Sequence, residues 1–494
     1  MKRCRASLVA RTIGSVSPRI FRLTELDDQA IAASLADLRE ALEVELGFPE
    51  EVLAEADQAA ANPRLPELDL TGTPFVTIDP PQSMDLDQAL FIERRRAGYL
   101  VHYAIADVAA FVRPGGDVDA EAHRRGQTFY APDGNARLHP PAISEGAASL
   151  LPNQVRPALV WHMYLEPDSE GTRLEVRRAM VRSRAKLSYE EVQDRIDRGV
   201  ADESLSLLKE VGILRQEREA RLGGINLPRP EQVVRHDEDG YDLELRSPLP
   251  VEGWNAQISL MAGQAAATVM LEAEVGLLRT LPRAGPVRIN RLRHTARALG
   301  VIWEKGKPFA AMIRDLDPQL PSHAALINEA ASLLRGSGYA AFDDEVPTNA
   351  RHAGVGAEYA HTTAPLRRLV DRYVGEVCVS VSSGTPIPSW VREGLPALPV
   401  VMERSTRRAQ QYEAGIISTL EAAVLRESIG EIFSAVVVDV DKEGGVIQLT
   451  APPVTGRCRG FNLPLGKRIS ARLVLADVAA RQIAFEMASH GTGE

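Results

Sequence analysis

The chain has 494 residues, 45% of them hydrophobic, and a formal charge of −10, a length that suits two to four domains with one large core. No apolar run reaches the ~20 residues that span a bilayer, which excludes a membrane-spanning helix and any role that needs one. The three cysteines, Cys4, Cys378 and Cys458, are too scattered for a disulfide or zinc framework and suit a reducing, cytoplasmic setting.

Charge is unevenly divided. Residues 1–23 carry six basic side chains and no acid, a basic tail or an overlong start rather than a transit peptide. Residues 24–69 carry thirteen acids against Arg39 and Arg64. Within them Ile31, Leu35, Leu38, Leu42 and Leu46 recur at spacings of three and four, the stripe of an amphipathic helix. Gly47, Phe48 and Pro49 break it, and Glu50 to Ala61 restart a second helix. We therefore expect a small helical N-terminal region over residues 1–70, docked on the core or helix-turn-helix-like. With the acidity concentrated there, net charge argues little against a nucleic-acid partner, because steering depends on local patches.

The next segment carries the chemistry. An apolar run from Pro74 to Ile78 leads into Asp79, then Pro80 and Pro81, then Asp85 and Asp87. The prolines remove two backbone donors and bar a helix, so Asp79 ends a strand and a loop carries the other two acids back. Carboxylates that close repel unless cations neutralise them. Oxygen donors without His or Cys suit Mg²⁺ or Mn²⁺ rather than zinc. A calcium-binding loop would need Gly and Glu where Met84 and Leu90 stand. On local physics alone, a metal site and a solvated acidic loop remain alternatives.

The segment Thr77 to Gln88 resembles the signature of the ribonuclease II (RNB) family of 3′-to-5′ exoribonucleases, in which acids follow the first Asp by six, eight and nine residues. Asp79, Asp85 and Asp87 match the first three positions, and Gln88 departs from the fourth. The resemblance implies that these residues hold catalytic Mg²⁺ (or Mn²⁺), with Gln88 a neutral substitute. It continues through Ile105-Ala106-Asp107-Val108, where Asp107 is expected to be structural, and through Arg125-Gly126 to Tyr130 and Pro132. There Tyr130 matches a tyrosine that stacks on the terminal base, a contact every base can make. Asn226, Ala256 and Gln257 stand where the family has acids, the mark of a divergent branch.

A second signature runs from His352-Ala353-Gly354-Val355 to Tyr359, His361 and Pro365-Leu366-Arg367-Arg368, ending at Asp371. It resembles the family's phosphate-binding motif and implies that Arg367 holds the scissile phosphate. A guanidinium suits that role because it stays protonated and forks onto two oxygens. Arg368, Tyr359 and His361 are expected to line the RNA path. Pro365 fits the first turn of a helix, and Arg368 and Asp371 are spaced to pair on it. His352 and His361 have no zinc-ligand spacing and suit hydrogen-bonding roles. Arg404, Arg407 and Arg408 share one helix face and extend the basic path.

From Ile432 onward the texture changes to five short β-branched strands, ending at Gln482 to Met487, which suits an OB barrel. Its position resembles the RNA-binding domain, similar to that of ribosomal protein S one, that ends family members. Arg457, Arg459, Lys467, Arg468 and Arg472 favour phosphate contact. Larger members carry cold-shock barrels at the N-terminus, for which some 70 residues are too few. The expectation is an α+β protein: residues 1–70 helical, 71–429 an RNB catalytic domain, 430–494 an OB barrel. The implied activity is that of a processive, monomeric Mg²⁺-dependent exoribonuclease acting on single-stranded RNA 3′ ends. The rival is a catalytically impaired RNA-binding protein on the same scaffold.

Overall fold

A computed structural model of the chain describes residues 29–166, 172–225, 227, 231–237, 240–246, 248–318, 320–334 and 336–488. The basic segment 1–23 and Asn226 lie outside the described residues. The protein is α+β, and its centre is an antiparallel four-stranded meander.

Two helices come first, α1 (Gln29–Ala41) and α2 (Glu50–Ala61). They do not share a core. Ile31, Leu35 and Leu38 of α1 pack with the C-terminal barrel, whereas Val52 and Ala56 of α2 pack on the central sheet. Helix α2 thus docks on the sheet, and α1 docks on the long helix Leu398–Leu425 and the barrel rather than on the sheet.

The short strand β1 (Thr77–Ile78) leads to the meander, β2 (Gln88–Arg95), β3 (Gly98–Ala106), β4 (Val155–Leu165) and β5 (Thr172–Arg182), in the order β2-β3-β4-β5. Helix α3 (Asp117–Arg125) interrupts it after β3. Strand alternation sorts the faces. Leu90, Ile92, Tyr103, Ile105 and Trp161 face the main core, and Ala104, Ala106, Val160 and Ala179 face the core under α2. Strand β6 (Lys186–Leu187) pairs parallel to β1 and is followed by α4 (Tyr189–Asp197) and α5 (Glu203–Leu222). A hairpin, β7 (Glu231–Asp237) with β8 (Gly240–Arg246), precedes the long buried helix α6 (Pro250–Glu272).

Strand β9 (Val275–Thr280) pairs with β10 (Gly338–Asp343) across three helices, α7 (Pro286–Ala298), α8 (Phe309–Arg314) and α9 (Pro321–Ala331), which have their own small core of Leu292, Met312, Ile313 and Leu326. Then come the short strands β11 (Arg351–His352) and β12 (Ala357–Glu358), the buried helix α10 (Leu369–Ser383), α11 (Ser389–Gly394) and the 28-residue helix α12 (Leu398–Leu425). Strands β13 (Ile432–Asp441), β14 (Gly444–Leu449), β15 (Thr455–Arg459), β16 (Arg468–Asp477) and β17 (Gln482–Met487) close into a barrel of order β13-β14-β15-β17-β16, an OB-like arrangement. No described helix is long and apolar enough to cross a membrane.

Candidate active site

The acidic loop is pinned at both ends. Val76 and Leu90 exchange two backbone hydrogen bonds (3.0 and 2.9 Å), and the Asp79 amide donates to Leu187 O (2.9 Å). Lys186, beside Leu187, reaches across the loop and donates to the carbonyls of Pro81 (2.7 Å) and Ser83. Ser149 clips the far side, donating to Met84 O (2.6 Å) and accepting from the Leu86 amide (3.0 Å). A loop with two prolines and a mid-loop clip has little freedom left to lose when it binds a ligand.

The turn 361–368 meets this loop from nearly three hundred residues away. Asp87 Oδ1 accepts from the Leu366 amide (2.8 Å), and its other oxygen lies 3.4 Å from Arg367 Nε. Thr128 N donates to Arg367 O (3.0 Å) and Leu369 N to Gly126 O (3.0 Å). That pairing brings the segment bearing Tyr130 alongside Arg367, and the Tyr130 hydroxyl lies 3.4 Å from Asp85 Oδ2. Asp79, Asp85, Asp87, Gln88, Tyr130, Tyr359, Arg367 and Arg368 thus line one cleft of about 340 Å³.

Several expectations are refined. Helix α10 begins at Leu369, so Pro365 sits in the turn before it. The cause is Arg368, held in an extended conformation (φ −146°) by its bridge to Gln127. Arg368 and Asp371 do pair, with a second bond at 2.8 Å, so this guanidinium is already spent. The structure does not bring His361 to the cleft: its ring is buried and shares a 2.7 Å hydrogen bond with the Tyr339 hydroxyl. Asp107 is structural, bound by Arg178 Nε at 2.7 Å. Arg404, Arg407 and Arg408 lie on one face of α12 but line a separate groove with Ala41 and Leu42 of the N-terminal region.

Gln88 faces the cleft with both ends of its amide engaged. Its Oε1 accepts from the Tyr103 hydroxyl (2.7 Å), and its Nε2 donates to Thr363 O. Ser259 of α6 extends the chain through Tyr103 (2.7 Å). Where the resemblance leads one to expect a fourth acid, this protein has a neutral tie between the sheet and the Arg367 turn.

Burial dominates the electrostatics of the three aspartates. Burial and then the neighbouring Asp85 push Asp79 up to about 7. Burial also raises Asp85 and lifts Asp87 well above the carboxylate range, against the pull of Arg367. Arg367 stays above its ordinary value despite burial, because Tyr130, Asp87 and Asp85 surround it. Three oxygen-only donors on one cleft fit a hard divalent ion in chemistry. Among the described residues, however, no three acidic, His or Cys groups form a ready ligand cage; the aspartates face one cleft rather than one point.

Sequence reading missed Lys186, Tyr189 and Asn255. Tyr189 and Asn255 line the cleft and interact through Asn255 Nδ2 and the Tyr189 hydroxyl (3.3 Å). Lys186 had one sequence signal, as one of seven lysines in a chain with fifty arginines; Tyr189 and Asn255 had none.

The RNB domain family matches residues 67–381, and the RNase II-type exonuclease C-terminal S1 domain matches residues 431–488. The chain belongs to the RNB family. Among curated relatives, ribonuclease R of Thermotoga maritima is 25% identical over 457 residues, covering 88% of this chain and 64% of the relative. The next two curated relatives are covered over 61% and 60% of their length, so this RNB protein spans about three-fifths of them. Among solved structures, Mycoplasma genitalium RNase R in complex with ribose-methylated single-stranded RNA superposes with a TM-score of 0.83 at 18% identity, over 93% of this chain and 78% of that one. Yeast Ssd1, described as a pseudonuclease, superposes at 0.68 with 15% identity, over 95% and 60%. At those identities the likeness shows a shared RNB fold.

Proposed function

We propose that this RNB protein is a divalent-metal-dependent hydrolase that removes nucleotides processively from the 3′ end of single-stranded RNA and releases nucleoside 5′-monophosphates. The observation that carries the reading is the meeting of Asp79, Asp85 and Asp87 with Arg367 and Tyr130 in one cleft.

Asp79, Asp85 and Asp87 would hold the ion, Mg²⁺ or Mn²⁺, with Gln88 in a supporting role through Tyr103 and Thr363. When bound, such an ion lowers the pKa of water and stabilises charge on phosphoryl oxygens. Arg367 is preorganised beside Asp87 and, in a buried setting, offers two donors to a phosphate and offsets charge that builds on it. Tyr130, fixed beside Asp85, presents a ring to the terminal base without reading its identity. Tyr359 and Arg368 shape the cleft wall.

The test is incubation of 5′-labelled single-stranded RNA with the protein, with and without Mg²⁺, on a denaturing gel. Shortening from the 3′ end to an oligomer of a few nucleotides, abolished by EDTA, is the expected result. A protein that binds the RNA and yields no metal-dependent product under varied metal and salt is instead an RNA-binding member on the same scaffold.

A further inference from the structure

Between Glu274 and Glu304 the chain has no acidic residue and six arginines, in a protein whose net charge is −10. This run forms β9 and α7. Leu292 and Ala296 bury one side of α7, while Arg291, His294 and Arg297 recur every three residues on its exposed side. Arg283, just before the helix, and Arg297 make no ion pair among the described residues, and Arg291 has only a long contact with Glu329 (3.7 Å).

Each end of α7 meets a further feature. At its start is a second pocket of about 290 Å³, walled by Ile225, Pro282, Ile289, Phe309 and Leu333, with Arg283 at its edge. His352 also lines it. The ring is fully buried, and its Nδ1 accepts from the Val355 amide (3.2 Å). The proton therefore sits on Nε2, which has no acceptor. The His352 ring lies 5.9 Å from that of Tyr359, which lines the catalytic cleft, so pocket and cleft share a wall. At the other end, the barrel loop at Gly466 packs on Leu299 and brings the exposed Lys467 and Arg468 next to the helix.

We propose that the pocket and the exposed face of α7 form a second RNA-binding surface, in which the pocket takes one base and the arginines carry phosphates toward the barrel. The partner is the single-stranded part of the substrate upstream of the cleaved end, so the inference rests on the function proposed above. An apolar slot with an aromatic wall accepts any base, since each has a π face. Helix α7 is about 20 Å long, enough to follow several nucleotides.

The experiment measures binding in EDTA, so that it reads the surface whether or not the protein cleaves. Fluorescent single-stranded RNAs of about five and about 25 nucleotides are titrated against the intact protein and the R283E/R297E variant over a salt series. The variant is expected to bind the longer RNA at least about tenfold more weakly, with a salt slope lower by about 1.4, and the short RNA unchanged. Unchanged affinity for the longer RNA, or an equal loss for both lengths, overturns the proposal. A second readout concerns the pocket. A 4-thiouridine in the longer RNA should crosslink to the peptides around Pro282–Ile289 or Phe309, and absence of such crosslinks at every thiouridine position removes the base seat. Failure of the wild-type protein to cleave in Mg²⁺ bears only on the nuclease reading.

Discussion

The aspartate–arginine cleft and the C-terminal barrel are built in opposite ways. The cleft gathers buried carboxylates and guanidinium groups from segments that are distant in sequence, each tied by a long-range hydrogen bond. The barrel puts Ala435, Val437, Ile447, Leu449, Leu473 and Phe485 inside and its charges outside. Buried charge without a full set of partners opposes folding, whereas apolar burial favours it. Chemistry and stability are therefore separable, and substitutions in the two regions should fail in different assays.

The largest effect should come from Asp87→Asn. It removes a metal donor but keeps an acceptor for the Leu366 amide, so turnover should fall about 1,000-fold, about 4 kcal/mol. RNA affinity should stay within a few-fold, and thermal stability should hold or rise because a buried charge is lost. A lower melting temperature with intact turnover would break the comparison at its centre.

Phe485→Ala is its mirror. Phe485 is fully buried in the barrel, and its truncation should cost about 3–5 kcal/mol of stability by chemical denaturation. Turnover per folded molecule on a short RNA should be unchanged.

Within the turn, Arg367→Lys should reduce turnover by about 2–4 kcal/mol, roughly 30- to 1,000-fold, since lysine keeps charge and loses the fork. Arg368→Lys should mainly lower stability, because its guanidinium is paired with Asp371. Equal, mild kinetic effects at both positions would leave Arg367 without a phosphate-binding role.

A smaller effect sharpens the reading of position 88. Gln88→Ala should cost about 1–2 kcal/mol of stability by breaking the tie from Tyr103 to Thr363. Gln88→Asp should shift the Mg²⁺ concentration for half-maximal cleavage only if the side chain turns from that tie toward the ion; an unchanged midpoint keeps it a structural link.

The smallest effect is in pH. Burial holds His352 and His139 down at about 3 and His162 at about 4. Their unfolded forms take up a proton near 6.5 and the folded forms do not. The share of stability that these histidines contribute above pH 6.5 is thus lost progressively as pH falls from there toward about 3. The raised Asp79, Asp85 and Asp87 take up protons in the folded state over the same window and oppose the loss. Denaturant midpoints of the protein and of a His352→Gln variant, compared across that window, would show the histidine share.

Elements with a strong period were legible in the chain. The α1 stripe from Ile31 to Leu38, all five barrel strands and the acidic loop after β1 were read from alternation, helical spacing and two prolines. The helix itself ends at Ala41, where the chain turns through Glu43 at positive φ and leaves Leu46 exposed. The aspartates and Arg367 were legible as motifs, and the structure adds the hydrogen bonds that join them. Tyr189 and Asn255 were not, because they reach the cleft through β6 and α6 packing, which no local pattern encodes. His361 shows the converse. A motif places it beside functional residues, but the backbone there turns it inward to Tyr339. The basic face of α7 was visible in composition, as six arginines and no acid between Glu274 and Glu304, but the overall charge of −10 masks it.

The pairing of the Gly126–Thr128 segment with Arg367–Leu369 has one more implication. The ring proposed to grip the base and the fork proposed to grip the phosphate are mounted on two strips of main chain stitched to each other. The spacing of the two backbones that carry those seats is thus held by main-chain hydrogen bonds, and side-chain rotamers set only the rest. Such a gauge measures one nucleotide at a time and is indifferent to which base arrives. It would refuse a strand whose sugar sets base and phosphate at another spacing, however well either end alone could bind.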